Sequence, residues 1–458
     1  MKAIHIISQE NNCWQEEDLQ IRKAGTLEEN AGQQVQEDDV LELTGEKKQT
    51  VLGFGGCFNE LGWEALGLTL EESRKAFLDE LFCSENCGFN YGRVPIGAND
   101  FSLEWYSCDE TDGDYELKDF NIERDKKYTL PFVKEAQKRQ EGLTLFASPW
   151  SPPTWMKTKK AYNYGVIRME ERVLKAYAEY FVKFVQAYAQ EGVKVEQVHV
   201  QNEPMADQKF PSCLWSGENM EIFIRDYLGP AFEKAGLDTE LWLGTINGPF
   251  VDFMMQGMAA PFSEHYDQFA NTVLEDAQAR KYLTGVGLQW GGKHVMEQIT
   301  ASYPELRYMN TESECGDGRN TWEHMEYIFA QMWFYFRHGA ERYTYWNFAL
   351  QEGGISTWGW AQNSLCTVNP QTGELKLQPE FYLMKHFSRY IKKGAKYLGV
   401  KGHWTTNTLA FENPDGTLVL VVGSNMNRDR TFRFRYGEEE LSAEIPAHSV
   451  HTFVLERC

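Results

Sequence analysis

No stretch of this chain approaches the roughly 20 consecutive apolar residues that a membrane-spanning helix needs, so no membrane span is expected. Positive charge is also short: 45 Lys and Arg stand against 67 Asp and Glu, a formal net charge of −22. Nucleic acids and anionic membrane surfaces are polyanions that require a basic patch, which leaves a neutral molecule as the easier partner. The chain has no P-loop and no G-x-G-x-x-G between a strand and a helix, which removes the usual nucleotide-binding readings. Gly53-Phe54-Gly55-Gly56 comes nearest, but it lies in or at the end of a strand, where such glycines are expected to allow close packing at a barrel mouth. Nine cysteines, an odd number scattered through apolar contexts such as Gly56-Cys57-Phe58, do not make a disulfide framework. Cys83 and Cys87 lack the further His or Cys ligands of a zinc site, so neither a metal nor a cofactor is expected. The N-terminus turns polar too soon for the apolar core of a signal peptide, about 7–15 residues. A cytoplasmic location is therefore expected, with secretion following only if a leader precedes this sequence.

Aromatic residues are plentiful, 14 % of the chain and including 14 Trp. Sugar rings present apolar C–H faces that stack on indoles, while their hydroxyls bond Asn, Asp and Arg. Tryptophans at strand ends are therefore candidate sugar contacts, and most of the others belong to the core. With 458 residues the chain exceeds what one hydrophobic core supports, so a large domain of about 300 residues with a smaller one beside it is expected.

Residues 1–51 alternate in the manner of strands, as in Val40-Leu41-Glu42-Leu43. From Val51 a strand, loop, helix rhythm takes over. Its candidate strands are Val51–Phe58, Phe89–Pro95, Thr144–Ser148, Gln197–Gln201, Glu240–Ile246, Gly285–Gln289, Leu306–Thr311 and Arg342–Trp346. Amphipathic segments fit helices between and after them: Leu70–Cys83, Pro131–Arg139, Met169–Glu191, Asn219–Ala235, Ser263–Tyr282, His294–Tyr303, Thr321–His338 and Pro379–Ile391. Eight repeats argue for an α/β fold built on a (β/α)8 TIM barrel over an open doubly wound sheet. After about Arg389 short strands return, split by turns such as Asn413-Pro414-Asp415-Gly416. The expected organisation is a catalytic barrel over 52–389, with residues 1–51 and 390–458 paired into one β-sandwich docked against it.

Two of these strands end in a carboxylate. Val198-His199-Val200-Gln201-Asn202-Glu203-Pro204 is an apolar run that stops at Asn-Glu-Pro, and Leu306-Arg307-Tyr308-Met309-Asn310-Thr311-Glu312 stops at Thr-Glu. In a β/α barrel, the carboxyl ends of strands four and seven project into one mouth. Hydrolysis of a glycoside with retention needs two carboxyl groups roughly 5–5.5 Å apart, one attacking the anomeric carbon and one protonating the leaving oxygen. A close pair also splits in acidity, leaving one protonated and one ionised. Arg93 on strand two is placed to hold the nucleophile ionised, and Asn202 to bond a sugar hydroxyl. Asp100, Trp150, Trp290, Trp346 and Asn347 sit at or past other strand ends. Glu314, two residues beyond Glu312, would face the same way on an extended strand. The acidic stretch Tyr106–Lys118 is either a pocket rim or a solvated loop, and the latter is the expectation.

These residues resemble glycoside hydrolase family 30, the glucosylceramidase-like retaining β-glycosidases of clan A. The resemblance runs through Gly53-Phe54-Gly55-Gly56, Arg93-Val94-Pro95, Asn99-Asp100-Phe101-Ser102 and Ser148-Pro149-Trp150-Ser151-Pro152-Pro153-Thr154-Trp155. It continues through Gln201-Asn202-Glu203-Pro204, Thr311-Glu312, Trp346-Asn347, Glu352-Gly353-Gly354 and His386-Phe387-Ser388. It implies a barrel flanked by a β-sandwich, Glu203 as acid/base and Glu312 as nucleophile. It also implies that Asp100, Trp150, Asn202 and Trp346 hold the sugar in the first subsite, with a β-linked glucoside or oligosaccharide as substrate and sphingolipid metabolism as one setting. The chain departs from the family's His-Trp-Tyr after strand six, where it has Gln289-Trp290-Gly291, so a tyrosine hydrogen bond to the nucleophile is lost. Trp358 or Trp360 could supply a stacking platform, with Trp358 favoured. The expected activity is a retaining β-glucosidase type. An endo-β-1,6-glucanase and a β-xylosidase are alternatives in the same family, and a non-catalytic carbohydrate-binding protein is the alternative class.

Overall fold

The computed structural model describes residues 2–19, 21–23, 40–247 and 266–456. Eight parallel strands form one sheet: β1 (Gly53–Cys57), β2 (Tyr91–Ile96), β3 (Thr144–Pro149), β4 (Val195–His199), β5 (Glu240–Ile246), β6 (Leu283–Gln289), β7 (Arg307–Glu312) and β8 (Arg342–Asn347). From β1 to β7 each pairs with the next, and β8 pairs back onto β1. The remaining seam, β7 to β8, is closed by a parallel bridge between Tyr308 and Ala340. Glu341 N–H donates to the Tyr308 carbonyl (2.9 Å) and Ser313 N–H to the Thr344 carbonyl (3.1 Å). Thr344 N–H is taken up by the Asn310 side-chain oxygen at 3.2 Å, so a polar side chain completes the barrel where the backbone ladder thins.

The expected helices are present, with ends shifted by a few residues. Glu171–Gln190 shows why: Val173, Leu174, Tyr177, Phe181, Phe184, Val185 and Tyr188 recur at three- and four-residue spacing and are buried, while Lys175, Glu179 and Gln186 face solvent. The expected helix Asn219–Ala235 is continuous but contains a π turn, Ile224–Leu228, between Gly217–Phe223 and Gly229–Ala235. Positions 263–265 of the expected helix Ser263–Tyr282 lie outside the described residues, and Tyr266–Glu275 and Ala277–Arg280 supply the rest. Two helices, Glu60–Gly67 and Glu123–Lys127, lie outside the expected set, and the first is the longer. It starts at Asn59, whose side-chain oxygen accepts from Gly62 N–H.

The glycine-rich Gly53-Phe54-Gly55-Gly56 packs along the barrel wall rather than at its mouth. A Cβ on Gly55 would stand 1.6 Å from the Tyr91 carbonyl oxygen, at the start of the neighbouring strand. The close approach is between β1 and β2, and only glycine permits it.

Both chain ends form one ten-stranded sheet. Lys2–Gln9 pairs antiparallel with Ser449–Glu456, and Val40–Thr50 lies between Lys396–Lys401 and Arg430–Tyr436. The period of two divides Leu418–Ser424 between two cores: Leu418, Leu420 and Val422 join the interior of the sandwich, while Val419 and Val421 join the barrel's core. Phe411 meets Phe336 of helix Trp322–Arg337 edge-on, ring centroids 5.6 Å apart, so the sheet is docked by burial and not by a linker. No helix among the described residues is long and apolar enough to cross a membrane.

Candidate active site

The floor of the barrel mouth is Arg93, a fully buried arginine on β2. Its guanidinium donates to Glu312 Oε2 (2.6 Å), Asn202 Oδ1 (2.7 Å), Ser148 Oγ (3.0 and 2.8 Å) and Thr245 Oγ1 (3.2 Å). It also lies 4.3 Å from the Trp150 ring and 5.2 Å from the Trp346 ring. One cation thus ties together the ends of β2, β3, β5 and β7 and the segment after β4, in a site walled by indoles. Asn202 Oδ1 also accepts from Gln289 Nε2 (2.7 Å) and Thr245 Oγ1 (3.0 Å), so its amide Nδ2 is the group it can offer a ligand.

Three carboxyl groups converge above this floor. Beyond β4 the chain stays tethered on both sides, Asn202 N–H to the Pro149 carbonyl (2.7 Å) and Glu203 N–H to the Thr245 carbonyl (2.9 Å). Glu203 is held there at φ +46°, a left-handed conformation that costs energy for a non-glycine residue and is concentrated at functional sites. Asn247, just past β5, donates to Glu203 Oε1 at 2.9 Å. Glu312 is the last residue of β7, and Asp100 lies on the loop after β2.

Burial raises all three acids. For Glu312 burial comes first and Arg93 opposes it, while the charges of Glu203 and Asp100 push further up, to about 8. Asp100 is lifted by burial and then by Glu203, to about 7. Glu203 is raised by burial against the hydrogen bond from Asn247. A single guanidinium faces three buried carboxyls, so the site holds protons that free carboxylates would have lost. Glu312 at about 8 holds its proton more firmly than Asp100 at about 7, yet only Glu312 touches Arg93, so contact with the guanidinium rather than the order of titration singles it out as the carboxylate.

Asp100, Trp150, Asn202, Glu203, Trp290, Glu312 and Trp358 line one cavity of about 660 Å³ at the barrel mouth, and Trp360 brings its tryptophans to four. Trp346 is not on that wall. It packs behind Trp150, centroids 5.5 Å apart, and caps Arg93. Asn347, likewise, turns away to Asn59, Gln362 and Asn363. The acidic stretch after β2 does not line the cavity, and its Glu110 is spent on Thr154 and Tyr162.

Glu314 does reach the cavity wall, but it is occupied. His324 Nε2 lies 2.5 Å from its Oε2, and His324 Nδ1 lies 2.9 Å from Oε1 of the fully buried Glu380. Glu314 is lowered: burial alone would raise it, and His324 overrides that. In place of the lost tyrosine, the Cys315 thiol points at Glu312 Oε1, 3.4 Å away. Sequence reasoning missed Asn247, Thr245, Gln289 and Cys315. The first three follow the pattern that exposed Asn202, a polar residue closing an apolar strand, whereas Cys315 left no such signal.

Residues 51–391 match the Glycosyl hydrolase family 30 TIM-barrel domain, and residues 394–453 match the Glycosyl hydrolase family 30 beta sandwich domain. The lysosomal acid glucosylceramidase of Mus musculus is 28% identical over 91% of this chain and 84% of its own length. An endo-1,6-beta-D-glucanase of Neurospora crassa is 26% identical over 95% and 91%. Among solved structures, SrfJ from Salmonella typhimurium shares the whole fold, with a TM-score of 0.87 at 23% identity and 100% of both chains covered. A barrel that matches 341 of the 458 residues, followed at once by its sandwich partner, makes this chain a glycoside hydrolase and a member of glycosyl hydrolase family 30.

Proposed function

We propose that this enzyme cleaves β-glucosidic bonds with retention of configuration, through a covalent glycosyl-enzyme intermediate on Glu312. The observation that carries the reading is the unequal environment of two facing acids: Glu312 is in contact with Arg93, and Glu203 is held only by the neutral amide of Asn247. The ionised carboxylate of Glu312 attacks the anomeric carbon, the bond to the leaving oxygen breaks, and the Glu203 carboxyl gives its proton to that oxygen. Glu203, now ionised, takes a proton from water, and the water oxygen displaces Glu312. Asn202 and Asp100 are placed to bond the sugar hydroxyls, and Trp150 to stack on the ring.

Relatives named as glucosylceramidases and as endo-1,6-beta-D-glucanases support a β-linked glucosyl group on the non-reducing side of the scissile bond. The test is hydrolysis of an aryl β-glucoside followed by proton NMR. The β-anomer of glucose should appear first and then mutarotate. First appearance of the α-anomer, or inactivity on every β-glucoside offered, overturns the proposal.

A further inference from the structure

Asn247 follows β5 at the cavity wall, only 3% exposed, and both ends of its amide are in use. Its Oδ1 accepts from Gly291 N–H at 2.8 Å, and its Nδ2 donates to Glu203 Oε1 at 2.9 Å. Turning the amide over would set Nδ2 against the Gly291 N–H and Oδ1 against the Glu203 carboxyl, so both contacts would be lost. The donor is locked. What locks it is the segment Gln289-Trp290-Gly291 after β6, the place where the chain departs from the family's His-Trp-Tyr.

The second oxygen of Glu203, Oε2, has no hydrogen-bond partner among the described residues. A protonated carboxyl carries its hydrogen on one oxygen, and Oε1 is already engaged as the acceptor of Asn247. The proton is left to Oε2. Once that proton has gone to a leaving oxygen, the same amide faces a full negative charge, and its hydrogen bond strengthens. The acids and bases that line or underlie the cavity beside Glu203 are Arg93, Asp100, Asp207, His294, Glu312 and Glu314, with the Cys315 thiol. None of them hydrogen-bonds the Glu203 carboxyl among the described residues, and Arg93 favours its ionised form only through space. An apolar side chain of similar size at position 247 would remove one donor and leave all of these groups in place.

We infer that Asn247 is a positioning residue for the acid/base step: its locked amide selects Oε2 as the oxygen that gives and regains the proton, and steadies the carboxylate in between. This rests on the proposed roles of Glu203 and Glu312. The O–H bond at Oε2 breaks as the leaving oxygen takes the proton, and the attacking water later returns one to the same atom.

The test compares two aryl β-glucosides: phenyl, whose leaving oxygen needs a proton, and dinitrophenyl, whose leaving oxygen departs without one. In Asn247→Leu, kcat/KM on the phenyl glucoside should fall about tenfold, and on the dinitrophenyl glucoside less than about twofold. The basic limb of the phenyl profile follows ionisation of the acid, and without the donor it should move about one pH unit higher. Asn247→Asp keeps an acceptor for Gly291 N–H but loses the donor, so its limb should move the same way and serves if the leucine variant does not fold. Equal losses on the two substrates, or a limb that stays in place, overturn the inference and leave Asn247 a merely structural residue. If the wild type releases neither phenol, the proposed activity fails, and the carboxyl is read directly by NMR in protein with isotopically labelled glutamate carboxyls. The Glu203 signal, identified by its loss in Glu203→Gln, should titrate about one pH unit higher in Asn247→Leu than in the wild type. An unchanged midpoint overturns the role of Asn247 alone.

Discussion

Two buried charge clusters flank the end of β7, two residues apart in sequence, and they are built on opposite principles. At Glu312 three carboxyls, with Glu203 and Asp100, face one guanidinium. At Glu314 two carboxyls, with Glu380, face one imidazole that reaches both, and Asn363 Nδ2 adds a further hydrogen bond to Glu380 at 2.8 Å. Each cluster leaves one buried carboxyl oxygen, Asp100 Oδ1 and Glu380 Oε2, without a partner among the described residues. In the second, His324 stands between Glu314 and Glu380 and bonds both. Excess negative charge held in a cavity is available for chemistry, while charge matched by its neighbours fixes the backbone behind it. Glu312 closes β7 and Glu314 follows two residues on, so the comparison can be broken one residue at a time.

The largest effect is expected at the reacting pair. Glu312→Gln should lower kcat by more than about a thousandfold, whereas Glu314→Gln should lower it less than about tenfold. Steady-state kinetics on an aryl β-glucoside checks both, and a reversed order would exchange the two roles. Next comes His324→Gln, which strands Glu314 and the fully buried Glu380 and should cost about 3 kcal/mol in denaturant unfolding at pH 6. Burial would lower the His324 pKa, but its two carboxylates lift it to about 9. Its contribution is therefore complete below the unfolded value near 6.5 and fades as pH rises towards 9, so the penalty of the substitution should shrink at pH 9.

Asp100 has the opposite character to a structural acid, and its effect is smaller. Its folded pKa, about 7, exceeds its unfolded one, so the ordinary side chain favours folding least where it is ionised. Asp100→Asn should match the wild type in stability near pH 4 and gain roughly 2 kcal/mol by pH 8, while lowering kcat/KM. A gain that is independent of pH would show that Asp100 does not carry the buried charge. The smallest effect belongs to Cys315→Ser, which keeps a hydroxyl donor near Glu312 Oε1 and should change kcat by less than about threefold. Cys315→Ala removes the donor, which is worth about 1 kcal/mol or some fivefold.

What the sequence disclosed and what it concealed divide along the same line. Glu203 and Glu312 were legible because one follows and the other closes a barrel strand, and strand ends in a barrel share a mouth. Asn202 was legible for the same reason, and Arg93 as a charged residue inside a barrel strand. His324 and Glu380 were not, because one lies in the first turn of helix Trp322–Arg337 and the other in the first turn of Pro379–Ser388. There an acidic or polar residue ordinarily faces water. Their pairing is a contact between helices that only packing creates. The orientation of Trp346 was not legible either: it occupies a strand end, with its indole packed behind Trp150 and capping Arg93. The sandwich was legible from alternation at both termini, yet the division of Leu418–Ser424 between two cores needed the docked sheet.

The most direct test of the whole account is the site of covalent attachment. A 2-deoxy-2-fluoro-β-glucoside with a good leaving group forms the intermediate and slows its hydrolysis, after which the labelled peptide can be sequenced by tandem mass spectrometry. The account predicts one fluoroglucosyl group on Glu312. A label on Glu314, or time-dependent inactivation with no label on either residue, would contradict it.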